Sequence, residues 1–161
     1  MKNTFFRLSF LALLFGAFIS SCTSDQLEPV DLEGVTIWSG PTVTFTKAPS
    51  TDPSLEENQD RITDQVWIAR GDSRQFFNVV IESQAKKNDS PVGTLWAKGT
   101  TEDFDNLVFD KFRATVNKPK SVVGQDLVML LVEENIAIDV KITNWGDGAS
   151  GAGFTYERSS E

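Results

Sequence analysis

Carboxylates crowd one stretch of this chain: Asp52, Glu56, Glu57, Asp60 and Asp64 fall between Pro49 and Gln65, interleaved with the amides of Asn58 and Gln59. Loops of this kind can hold calcium, a hard cation that takes about six to eight oxygen ligands. Asp52, Glu56, Asp60 and Asp64 are therefore the candidate calcium ligands, although no Asp-x-Asp-x-Asn-Gly run of an EF-hand is present. The same residues suit a second role, which is preferred here. Arg61 pairs with a carboxylate and the amides satisfy backbone groups, so the loop orders itself and needs no metal. Glu133 with Glu134, or Asp103 with Asp105, could be named as acid/base pairs, but nothing in the sequence fixes the separation a glycosidase requires. The chain has no histidine and a single cysteine. Ser-His-Asp and Cys-His nucleophiles are thereby excluded, as are zinc and copper sites built on imidazole or thiolate. The expectation is a protein that is not an enzyme, with no firm metal and no cofactor unless calcium.

Aromatic residues offer a different chemistry. Of the four tryptophans, Trp38, Trp67 and Trp96 sit inside apolar strand-like runs, where core packing is their common fate. Trp145 instead precedes a segment with Gly146, Gly148, Gly151 and Gly153. Trp145 and Tyr156 are the candidate ligand or sugar contacts. The glycine-rich segment is no phosphate cradle, since it lacks a following helix and a Lys-Ser/Thr pair. Its glycines fit a tight connection between two strands.

The lone cysteine, Cys22, has its own context. Lys2 and Arg7 open a leader whose run from Leu8 to Ile19 is almost purely apolar, and Ser20-Ser21 close it. That is the grammar of an export signal over residues 1–21, too short for the roughly 20 apolar residues that span a bilayer. Ile19-Ser20-Ser21-Cys22 resembles the bacterial lipobox, which implies that Cys22 is lipidated and becomes the first mature residue. Thr23 follows, with no inner-membrane-retaining aspartate beside the cysteine, which favours the outer membrane. The leader carries two positive charges and no negative ones, so its loss takes the formal net charge from −8 to −10. Such acidity excludes nucleic acid, which needs clustered Lys and Arg. The expected partners are the membrane, through lipid at Cys22, and a glycan or another surface protein.

Behind the signal the chain reads as a tether over residues 22–34 and one β-rich domain over residues 35–161. Short strands are expected at 35–38, 42–46, 66–70, 76–82, 94–97, 107–109 and 112–116, with single helical turns near 55–57 and 118–121. Leu127 to Val132 is continuously apolar, as in a central strand buried on both faces. After Glu133-Glu134-Asn135, Ile136, Ile138, Val140 and Ile142 alternate with less apolar residues, which makes a hairpin with one core-facing side. Phe154 to Arg158 closes the domain. The fold class is all-β: an antiparallel β-sandwich or barrel-like domain of about eight or nine strands.

Several segments together carry a family resemblance: Trp38-Ser39-Gly40-Pro41, Asn58-Gln59-Asp60-Arg61-Ile62-Thr63-Asp64 running into Val66-Trp67-Ile68, Ser90-Pro91-Val92-Gly93-Thr94, and Gly151-Ala152-Gly153-Phe154-Thr155-Tyr156-Glu157-Arg158. In these the chain resembles a group of small secreted or lipid-anchored β-rich proteins of Bacteroidota-type bacteria. The resemblance implies no catalytic or binding residues. The expected function is a lipid-anchored extracytoplasmic module for adhesion, scaffolding or accessory binding. The alternatives are a carbohydrate-binding lipoprotein, with or without calcium, and a small carboxylate-dependent glycan hydrolase.

Overall fold

The computed structural model describes residues 32–71 and 75–161; the leader, Cys22 and the first part of the tether lie outside the described residues. In chain order the strands are β1 (Thr36–Trp38), β2 (Val43–Lys47), β3 (Asp60–Arg61), β4 (Trp67–Arg70), β5 (Phe76–Asn78), β6 (Thr94–Lys98), β7 (Asp126–Leu131), β8 (Ile136–Trp145) and β9 (Phe154–Arg158). They make two sheets. The larger runs β2-β9-β8-β7-β6, with β1 added in parallel along the start of β8; the smaller runs β3-β4-β5. All other pairings are antiparallel. The fold is all-β, as the alternation implied, but neither sheet closes into a barrel.

The core lies where the small sheet covers one face of the large one. Ile62, Val66, Ile68 and Phe76 meet Trp96, Leu127, Met129, Ile138, Val140, Ile142, Phe154 and Tyr156 there. The opposite face of the large sheet has its own apolar cover. Val128, Leu130 and Ala137 pack under Phe104, with Leu32, Val35, Leu95, Leu107 and Phe109 around them. Both faces of β7 are therefore dry, which is why its sequence shows no alternation. β7 and β8 form the expected hairpin, in register from Asp126↔Lys141 to Leu131↔Ile136.

Three expected strands differ. The run from Phe76 to Glu82 stays extended only as far as Asn78. There the side chain takes over the ladder: Asn78 Oδ1 accepts from Trp67 N at 3.0 Å, and Nδ2 donates to Gln65 O and Val92 O. Residues 107–109 follow a 3-10 turn, Thr101–Asn106, and form no strand; the isolated bridge of Asp110 to Trp96 comes just after them. Residues 112–116 form a short helix, α1 (Phe112–Val116), because Phe112 and Val116 lie one turn apart and both reach the core. Turns at Glu56–Asn58 and Pro119–Ser121 fall where single helical turns were expected.

A β-bulge decides the site described below. On β8, Ile136, Ile138, Val140 and Ile142 all face the small sheet, and strict alternation would turn Trp145 to the other side. The register slips between Ile142 and Asn144, so that Trp145 lies opposite Phe154, a core residue of β9. One extra residue thus re-aims the indole into the space between the sheets.

Candidate ligand-binding site

The residues named from sequence separate in the fold. Asp52 Oδ1 accepts from Ser54 N at 2.8 Å, and this backbone bond holds its carboxyl below the ordinary value. Glu56 pairs with Arg61 at 3.0 Å. Asn58 Nδ2 donates to Asp52 O and Gln59 Nε2 to Pro53 O, at 2.7 and 3.0 Å. Asp60 turns inward, while Asp64 is exposed. Among the described residues no three acidic, histidine or cysteine side chains gather as a metal site would need. Glu134 accepts from Thr63 Oγ1 at 2.8 Å, and Glu133 is exposed beside it.

Asp60 is the centre of a cross-brace between the sheets. Arg158 on β9 grips it with two bonds, Nε to Oδ2 at 2.7 Å and Nη2 to Oδ1 at 2.9 Å, and the Tyr156 hydroxyl donates to Oδ2 at 2.5 Å. All three side chains are buried. Burial works against the Arg158 cation, yet the Asp60 carboxylate outweighs it and holds the guanidinium above its ordinary value. Burial, with Asp60 adding to it, pushes the Tyr156 phenol well up. Tyr156 is thus corrected as a ligand contact, since neither ring nor hydroxyl presents surface to a ligand.

Trp145 is half-buried, and a cation covers it. Arg70, the last residue of β4, is in phase with Ile68 and so points between the sheets, where it is fully buried. Its guanidinium carbon lies 3.8 Å from the centre of the Trp145 ring. Nη1 donates to Gly153 O at 2.8 Å and Nη2 to Gly146 O at 2.7 Å, which ties together the two ends of the glycine-rich loop. Nε is buried without a hydrogen-bond partner among the described residues. Burial lowers the guanidinium to about 10, with Asp147 opposing, so it remains a cation at neutral pH. Phe76 meets Trp145 edge-on at 4.9 Å.

The loop that Arg70 clasps is held under strain. Asp147 Oδ1 accepts from Ser150 N at 2.9 Å, and that loop contact leads the effects holding its carboxyl low. Gly151 and then Ala152 take left-handed backbone, φ 82° and 52°. For alanine that conformation is unfavourable by roughly 1–2 kcal/mol. A side chain at Gly153 would drive into the Pro49 backbone nitrogen, 2.8 Å from where its Cβ would stand, so the tight approach requires glycine. Strain of this kind persists where the surrounding packing over-determines it, and it gathers at functional sites.

Against this loop opens a cleft of about 590 Å³, larger than the shallow depression of about 390 Å³ around Asp139. The sandwich end makes it: Arg70 and Gln75 flank the β4–β5 turn, Lys87 and Asn88 come from the next loop, Arg113 from α1, Lys120 from the turn after it, and Trp145 and Asp147 from the end of β8. Among the described residues four cations face one carboxylate there, in a chain whose net charge is −8. Lys120 reaches Asp147 at 3.5 Å in an exposed pair. Among the described residues no carboxylate lies within ion-pairing distance of Arg70, Lys87 or Arg113. Of this group only Trp145 stood out in the sequence. Arg70 was readable in one respect, as an arginine in phase with a core isoleucine; Lys87, Arg113 and Lys120 carry no common spacing. No protein-family model, curated protein or solved structure matches the chain.

Proposed function

We propose that this protein is a non-catalytic binding module, held outside the cytoplasm by acyl chains on Cys22, which receives its ligand in the cleft beside Arg70 and Trp145. The cleft carries the second half of this reading. Its volume falls in the range of small-ligand sites, about 300–1,000 Å³, and its wall combines a partly exposed aromatic ring with amide and cationic donors. The anchor rests on the leader and on the lipobox-like Ile19-Ser20-Ser21-Cys22. One acyl chain gives reversible attachment, and two or more give a stable one. Thr23 in place of a retaining aspartate supports the outer membrane. A glycan as ligand is the second reading, favoured by the amide and cationic donors that line the wall beside Trp145.

Both halves are open to test. Mass spectrometry of the exported product should find a diacylglyceryl group on Cys22 at the new N-terminus, and Cys22→Ala should release the protein from membranes; an unmodified thiol refutes the anchor. For the cleft, Ala149→Trp places a bulky ring at an exposed position on its rim. On a glycan array this variant should lose the binding that the parent shows, with its melting temperature unchanged. Equal binding by both proteins would place the ligand elsewhere.

A further inference from the structure

We infer that the ligand of this cleft is an anionic saccharide, its carboxylate or sulfate held by Lys87, Arg113 and Lys120 and its approach favoured by the buried charge of Arg70. This rests on the binding reading above and names the ligand class. The first observation is how charge is distributed. Acidic residues outnumber basic ones by 23 to 15 in the whole chain, yet among the described residues four cations and one carboxylate line this one cleft. Concentrating one sign of charge in a concave site focuses the field and raises the local concentration of the opposite ion.

The second is that, among the described residues, this charge is largely uncompensated. Arg70 is fully buried, but its two terminal nitrogens are bonded to neutral carbonyls of Gly146 and Gly153 instead of a carboxylate. Its Nε has no partner among the described residues. Arrangements of this kind normally bring a counter-ion, because a desolvated cation is costly unless paired. Here the carboxylate at hand is Asp147, and it is engaged with Ser150 N and with Lys120. The Lys120–Asp147 pair is exposed and 3.5 Å long, so a ligand oxyanion can exchange for it at little cost.

The third concerns how a sugar would sit. Arg70 lies over the Trp145 ring, so the indole is not an open platform for stacking a neutral sugar face. Recognition then falls to charge and directed hydrogen bonds. Gln75, with its amide turned to donate to Asp89 O at 3.1 Å and accept from Asn88 N at 3.3 Å, props the loop that carries Asn88 and Lys87. The arginine fork and the lysine point charges suit carboxylates and sulfates, the charged groups of acidic polysaccharides.

The experiment is titration calorimetry on the full-length, detergent-solubilised lipoprotein. The probes are a galacturonate oligomer, its methyl ester, a chondroitin sulfate oligosaccharide and inorganic phosphate. The acid or the sulfated sugar should bind and the uncharged ester should not. Raising salt from about 0.05 to about 0.5 M should weaken binding at least about tenfold, since screening shortens with ionic strength. Lys87→Gln/Arg113→Gln should cost a similar factor without lowering the melting temperature. Acid and ester binding equally, both blocked by Ala149→Trp, would overturn the anion and leave the cleft standing. Acid binding that neither the double variant nor Ala149→Trp weakens would overturn the cleft itself. Inorganic phosphate matching the sugars would show a free-oxyanion site and overturn the saccharide, as would no binding of any probe.

Discussion

Asp60 shows how far a residue's role depends on what it meets. In sequence it is one of several loop carboxylates; folded, it accepts from Arg158 twice and from Tyr156 once, in a buried cluster joining the sheets. Removing one partner of such a pair strands the other charge. Asp60→Ala should therefore destabilise the fold by about 3–5 kcal/mol in urea unfolding, and a loss below roughly 1 kcal/mol would contradict the brace. Tyr156 gives a pH test that is easy to isolate, because the chain has one tyrosine. Its phenol titrates well above 10 in the folded protein and near 10 in the unfolded chain. The unfolded state loses its proton first, so this contribution to stability is complete below pH 10 and declines as pH rises beyond it. Tyrosinate absorbance should stay flat past that point until unfolding begins, and Tyr156→Phe should remove this part of the decline. A phenol titrating near 10 in the intact fold would refute the assignment.

Among the elements, β8 and the loop after it build the site. The bulge between Ile142 and Asn144 puts Trp145 opposite Phe154 and under Arg70. Inserting one alanine between Asn144 and Trp145 should shift Trp145 by one register position and turn the indole out of the sandwich. The expected result is red-shifted tryptophan emission and a loss of roughly 2–4 kcal/mol, the scale of removing a large aromatic from a core. Unchanged emission would mean that strand register does not aim the ring. The glycine-rich loop follows the same logic. Its left-handed Gly151 and the Gly153–Pro49 approach make the turn, and Arg70 ties its ends. Strand periodicity made β7, β8 and β9 legible. It failed at Phe112–Val116, where five residues suit a strand or one helical turn, and packing of Phe112 and Val116 against the core chose the helix. It failed again after Asn78, where a side chain replaces the ladder.

For the whole molecule, the arrangement is a three-stranded sheet laid over one face of a six-stranded sheet whose other face has its own apolar cover. Two buried arginines bridge the layers at different places, Arg158 with a carboxylate partner and Arg70 without one among the described residues. The first closes its charge within the protein; the second lines a cleft where three more cations gather.

The chain's amino-acid order alone determined the all-β class, the β7–β8 hairpin and the absence of histidine. It could do so because alternation and composition are local properties that survive without neighbours. It also supplied the lipobox-like motif on which the proposed anchor rests. The tertiary structure decided which carboxylate is buried, which tryptophan borders a cleft, and that Arg70, Lys87, Arg113 and Lys120 belong together. Those four cations come from a strand, a loop, a helix and a turn, and Trp145 joins them through one register slip, which no spacing along the chain records.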